Sequence, residues 1–181
     1  MIRQTKLSTE KLTVLALLIA LQVVMGNLTQ IPLLGKQFNF GFLPVAAAGA
    51  LLGIPGGLIV GALGDFIGAH IFPAGAYFPG FTLTSALVGL LYALPLYKQK
   101  PSILRVVAAV ALATVVNLFL NSYWLSLLYT SKAYWGWVAV RAGSYAVEAP
   151  VQAVLMFFCL KGLARLKLPQ SMRLSGKENQ A

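Results

Sequence analysis

Six long apolar runs, separated by short polar or Pro/Gly-rich breaks, set the pattern of this chain: 12–25, 41–52, 57–72, 81–97, 103–129 and 137–163. A helix needs about 20 apolar residues to cross a bilayer, with several residues of latitude. The shorter runs must therefore borrow ends from their flanks. The pattern predicts an all-α integral membrane protein with six transmembrane helices. It forms one domain over 1–181, with no internal repeat and with polar tails at 1–11 and 169–181. The break at Gly53-Ile54-Pro55-Gly56-Gly57 predicts a tight turn between runs two and three. Run three then carries Gly57, Gly61, Gly64 and Gly68 at four-, three- and four-residue steps. That spacing puts small residues on one face and predicts close helix packing.

Two breaks are unlike the others. Phe38-Asn39-Phe40-Gly41-Phe42-Leu43-Pro44 and Phe72-Pro73-Ala74-Gly75-Ala76-Tyr77-Phe78-Pro79-Gly80-Phe81-Thr82 combine aromatic rings, backbone benders and neutral polar groups. Irregular backbone at membrane depth survives only where protein or a water-filled cavity covers it. Both segments fall on one side of the predicted bundle, which suits a cavity there for a flat organic molecule.

Composition agrees: 59% of the 181 residues are hydrophobic and 10% charged, with a mean hydropathy of +0.79, against about 25% charged in soluble domains. The net charge of +10 would by itself suggest nucleic acid. Its placement excludes that reading. With the N-terminus inside, Arg3, Lys6, Lys11, Lys98, Lys100, Arg105, Lys161, Arg165, Lys167, Arg173 and Lys177 lie on the inner side, and only Lys36, Lys132 and Arg141 on the outer side. This is a positive-inside bias, predicting that both termini are cytoplasmic. No small-x-small cleavage site follows the first run, so it is expected to be a span rather than a signal peptide. Cys159 has no second cysteine to pair with.

Glu148 is the sharpest single residue. It lies about 16 Å along the last span, near the bilayer centre, where a charge costs about 2.5–3.5 kcal/mol on insertion scales. Arg141, Tyr145, Glu148 and Gln152 follow helical spacing and make one polar stripe. It serves either a ligand or a structural network with span five. On span five, Asn117, Asn121 and Trp124 share a face. Asn amides donate and accept together and Trp124 offers a stacking ring. The alternatives are a bridge between helices and an interfacial anchor. Asp65 lies within span three and needs a polar partner from the outer half. His70, without a second His or Cys nearby, is no metal site. Lys36, Lys132, Arg141 and His70 have no acidic counterpart among the outer loops. They predict an electropositive mouth that attracts anions, unless the lysines are simply solvated. Ala16 and Ala20, four apart on span one, leave a shallow groove for another helix.

The chain lacks a phosphate-binding G-x-x-x-x-G-K-S/T loop, so it is not expected to hydrolyse ATP itself. No Ser/His/Asp set or metal cluster stands at readable spacing, and no cofactor is expected. Four function classes follow: a substrate-binding transport subunit for one flat vitamin, the same kind of subunit for another such as riboflavin or thiamine, a small membrane enzyme using Asp65 and Glu148 as acid and base, and a self-contained channel or carrier.

The runs Phe40-Gly41-Phe42-Leu43-Pro44-Val45-Ala46, Gly61-Ala62-Leu63-Gly64-Asp65-Phe66-Ile67-Gly68-Ala69, Phe72-Pro73-x-Gly75-Ala76-Tyr77-Phe78-Pro79-Gly80-Phe81-Thr82-Leu83-Thr84 and Leu120-Asn121-Ser122 with Trp124-Leu125 resemble the folate-specific S-components of energy-coupling factor transporters. The resemblance covers nearly the whole chain. It implies a six-helix subunit in a bacterial cell membrane that binds folate in an outward-opening pocket closed by outer loops. It further implies a transmembrane coupling protein and two cytosolic ATPases as partners, with the loaded subunit tipping to deliver its cargo. Ala16/Ala20 match the family's AxxxA contact motif. Within that frame Glu148 or Asn121 would pair with pterin edges. Trp124, Tyr77 and Phe81 would stack on the ring. Arg141 and Lys132 would attract the glutamate tail, and Asp65, Thr82 and Asn39 complete the expected substrate-binding set.

Overall fold

The computed structural model describes residues 9–33, 36–73, 77–129, 132–166 and 174. Of the predicted tails, only 9–11 and Leu174 fall among the described residues. The elements are α1 (Thr9–Asn27), β1 (Ile31–Leu33), β2 (Lys36–Phe38), α2 (Phe42–Ile71), α3 (Pro79–Leu96), α4 (Ile103–Leu128) and α5 (Tyr134–Arg165). All 5 of these helices are long and apolar enough to cross a membrane. The predicted loop between the first two runs is instead a short antiparallel hairpin, pairing Ile31 with Phe38 and Leu33 with Lys36. Three residues per strand are too few to show alternation in sequence, and Pro32 is tolerated in so short a ribbon, where each strand is an edge.

Runs two and three are joined in α2, which breaks at Gly53, where φ is 76° and ψ −161°. Helical arms 42–52 and 54–71 flank that point. Their contacts with α3 run in opposite senses. Before the break Gly49 meets Ala93 and Gly53 meets Tyr97; after it Gly57 meets Gly89 and Gly61 meets Ser85. The chain therefore doubles back at Gly53, and the amide of Lys98 donates to the carbonyl of Ala50 (2.9 Å) to tie α3's end beside the turn.

The first arm is buried almost all round, from Phe42 through Ala46, Ala48 and Gly49 to Leu51. Small side chains let α1, α3 and the second arm close on it. The glycines of the second arm divide between two neighbours rather than sharing one. Methyl groups at Gly57 and Gly61 would fall 2.2 Å from the Gly89 carbonyl oxygen and 2.3 Å from that of Ser85, whereas Gly64 and Gly68 receive the side chains of Gln22 and Asn27 from α1. The second arm thus packs its glycines on α3 at 57 and 61 and on α1 at 64 and 68, while Asp65 keeps the arm bonded to α3 through Thr82 and Ser85. The packing role expected of these glycines is what their contacts display.

Candidate functional site

A cavity of about 480 Å³ opens at the end of the bundle that carries the hairpin. The other end holds Lys11, the Gly53 turn, Lys98, Lys100, Arg105, Lys161 and Arg165. Asn39 stands on the cavity wall just after β2, and its Oδ1 accepts from the Gly41 amide (3.0 Å), turning the chain into α2. Phe38, buried, sits 5.4 Å from Phe40 and 6.1 Å from Phe42 between ring centroids. This is the aromatic cluster expected of the first irregular segment. In the second segment, 74–76 lie outside the described residues; Phe72, Tyr77, Phe78 and Phe81 all line the cavity.

The polar groups come from all five helices, Ser85 and Tyr92 being those of α3. On α5, Arg141 donates from a terminal nitrogen to the Tyr145 hydroxyl (3.0 Å), and Gln152 Nε2 donates to Glu148 Oε1 (2.7 Å). The stripe read from the sequence thus holds two bonded pairs on one helix face, with Glu148 only 6% exposed. On α4, Asn121 Nδ2 donates to Asn117 Oδ1 (3.0 Å), and Asn117 Nδ2 donates to the Ala113 carbonyl (3.0 Å). That chain leaves Asn121 Oδ1 buried without a partner, as is Arg141 Nε. Buried polar atoms are satisfied in the great majority of cases, so two orphans on one cavity wall mark places where a ligand or water completes the bonding. On α2, Asp65 Oδ2 accepts from the Thr82 hydroxyl (2.7 Å) and Oδ1 from Ser85 (3.1 Å). These are the outer-half hydroxyls its position called for. Tyr77's hydroxyl lies 3.1 Å from Thr82 Oγ1 and extends the row. On α1, Gln22 and Asn27 face the same space.

Of the ten substrate-site residues expected from the sequence, Asn39, Asp65, Tyr77, Phe81, Asn121, Arg141 and Glu148 line the cavity, while Thr82, Trp124 and Lys132 do not. Thr82 stands behind Asp65. Trp124 is packed behind Phe78 (5.5 Å between centroids), its indole Nε1 donating to Thr84 Oγ1 (3.1 Å). Lys132 Nζ rests 5.2 Å over the Trp137 ring. Among the described lining residues the charged groups are two carboxylates, Asp65 and Glu148, and one guanidinium, Arg141. His70 Nδ1 lies 2.7 Å from the Phe66 carbonyl and off the wall. No group of three possible metal ligands occurs among the described residues. Ala16 and Ala20 are exposed on α1 beside Leu17 and Val24.

The sequence reading passed over Gln22, Asn27, Gln30 and Gln37, all on the cavity wall. Single amides in or beside an apolar run have no partner at helical spacing to draw attention to them. The signal that bears on Gln22 and Asn27 is the glycine opposite each on another helix, which only tertiary contact reveals.

Over residues 10–163 the chain matches the family model described as ECF transporter, substrate-specific component. It is 37% identical over 155 residues to a protein named folate transporter FolT from Clostridium novyi (strain NT), covering 85% of this chain and 90% of that one. A protein of the same name from Leuconostoc mesenteroides subsp. mesenteroides is 32% identical over 161 residues, with 86% of each chain covered. Among solved structures, the crystal structure of FolT bound with folic acid resembles it with a TM-score of 0.76 at 30% identity, covering 86% of this chain and 96% of that one. A bundle of membrane-length helices with a cavity at one end thus meets relatives that are transport components, and the chain belongs to the substrate-specific components of ECF transporters, multi-pass membrane subunits that are not enzymes.

Proposed function

We propose that this chain is the folate-binding subunit of an ATP-driven vitamin importer in a bacterial cell membrane. The observation that carries the reading is its likeness, at a TM-score of 0.76 and 30% identity, to a FolT structure holding folic acid. The cavity supports it. About 480 Å³ lies within the range of roughly 300–1,000 Å³ typical of small-molecule sites, and its wall alternates aromatic rings with amides and carboxylates. Glu148 and the free oxygen of Asn121 accept from the donor edge of a pterin. Tyr77 and Phe81 flank the ring, with Trp124 behind them. Arg141, with Lys132 beyond it, takes the glutamate carboxylates, and Asn39, Asp65 and Thr82 shape the remaining wall.

Two finer points belong to the same proposal. Each arm of α2 makes its own crossing, giving six, because the chain reverses at Gly53. The first arm spans only about 16 Å but is shielded from lipid by its neighbours. The cavity end faces outward and both termini inward, since the described lysines and arginines other than Lys36, Lys132 and Arg141 cluster at the opposite end. The exposed Ala16/Ala20 face of α1 then receives the transmembrane coupling protein, which two cytosolic ATPases drive, and reorientation of the loaded subunit delivers folate.

Isothermal titration of the detergent-purified chain with folate, riboflavin and thiamine tests the assignment. Saturable one-to-one heat with folate alone is expected. Heat with riboflavin or thiamine and none with folate overturns it.

A further inference from the structure

Gln22 stands on the face of α1 that carries buried Leu15 and Leu18, turned away from exposed Ala16 and Ala20. Its side chain reaches over Gly64 of α2. A methyl group built on Gly64 would fall 2.7 Å from Gln22 Cδ, 2.8 Å from Cγ and 2.9 Å from Oε1. The amide thus occupies the volume that any larger residue at 64 would take. Both residues line the cavity, and Asp65 beside Gly64 lines it too. Asp65 has already committed its two oxygens to Thr82 and Ser85. The Gln22 amide makes no hydrogen bond among the described residues, so its donor and its acceptor both remain for whatever fills the space.

We propose that Gln22 is a ligand-contacting amide and that Gly64 is the positioning residue that holds it against the cavity. The inference deepens the folate reading and rests on it. The group it recognises is an amide or lactam edge, which offers a donor and an acceptor side by side as a carboxamide does. Folate carries such an edge on its pterin and again in its benzoyl-glutamyl linkage. Helix α1 thereby presents two faces with separate tasks: one toward the cargo and one, bearing Ala16 and Ala20, toward the surroundings of the subunit.

The atoms that a Gly64 methyl would strike are the far end of a flexible side chain, not backbone. Gly64→Ala therefore displaces the amide and leaves the fold standing, which makes a double-mutant cycle informative. Folate affinity is measured by titration for the wild type, Gln22→Ala, Gly64→Ala and the double variant. Losing one neutral hydrogen-bonding side chain weakens binding by roughly 3- to 10-fold. Each single variant is expected in that range, and the double variant no weaker than the weaker single. Gln22→Asn, whose shorter amide falls short of the same position, gives a loss like that of Gln22→Ala and serves as the second variant if Gly64→Ala fails to fold. Wild-type affinity in Gln22→Ala, or fully additive losses in the double variant, overturns the inference while folate binding stands. A wild-type protein that gives no folate signal overturns the folate assignment, and this inference with it.

Discussion

Replacing Gly53 with alanine should destabilise the bundle chiefly through the backbone. At φ 76° and ψ −161° the residue occupies a region open essentially to glycine alone, where a side chain brings strain of about 1–3 kcal/mol. A Cβ there would also lie 3.0 to 3.2 Å from three atoms of the Tyr97 ring. The ring has to yield by only a few tenths of an ångström, so its share is smaller than the about 1–3 kcal/mol of a true overpacking. For a chain of this size each kcal/mol moves the melting temperature by about 2–4 °C, so a fall of about 2–12 °C is expected. Thermal melting of the detergent-purified protein, followed by size-exclusion chromatography, reads it directly. Tyr97→Ala separates the two contributions. In that background the ring contact is gone and Gly53→Ala should keep most of its penalty. A Gly53→Ala protein that melts with the wild type, or a penalty that vanishes once the ring is removed, refutes the argument that the turn depends on glycine's backbone freedom.

Gly57→Ala meets a carbonyl oxygen of Gly89 at 2.2 Å, backbone that cannot rotate aside, and should lower stability by about 1–3 kcal/mol; Gly143→Ala, with nothing within 4 Å on an exposed stretch of α5, should raise it by about 0.5–1 kcal/mol, and melting curves of the pair run in opposite directions if the packing is as described. Asp65→Asn keeps one carbonyl oxygen for two hydroxyls, so either Thr82 or Ser85 loses its acceptor; a drop of about 1–3 kcal/mol in stability is expected, and chemical denaturation that leaves Asp65→Asn level with the wild type contradicts the bonding. Trp124→Phe removes the indole bond to Thr84 at about 1 kcal/mol, and because Phe78 stands between the indole and the cavity the loss should register in melting more strongly than in folate affinity measured by titration.

The helices could be read from hydropathy because lipid and core both demand apolar side chains. Run 103–129 became α4 at Ile103–Leu128, and run 137–163 became α5 at Tyr134–Arg165. Ends slipped where polar or small residues still helical, such as Thr9, Glu10 and Asn27, fall outside an apolar window. The Arg141, Tyr145, Glu148 and Gln152 row was legible because all four sit on one helix and its period organises them. The partners of Asp65 were not, since Thr82 and Ser85 lie across an antiparallel helix pair whose register depends on glycine contacts at 57 and 61. The division of glycines between α1 and α3 escaped for the same reason: spacing gives a common face, while helix crossing decides which neighbour meets each residue. Trp124 reads as a ring for stacking, yet Phe78 precedes it in space, a layering that one-dimensional spacing does not encode.

The enclosed first arm of α2 has a bearing on how the protein is made. With Phe42 to Leu51 covered by other helices and only about half the length that hydrocarbon requires of a lone span, this segment gains little from oil and much from its siblings. It should leave the translocation channel paired with the arm that follows Gly53, as one folded-back unit, and a ribosome stalled between the two would leave it stranded at the channel.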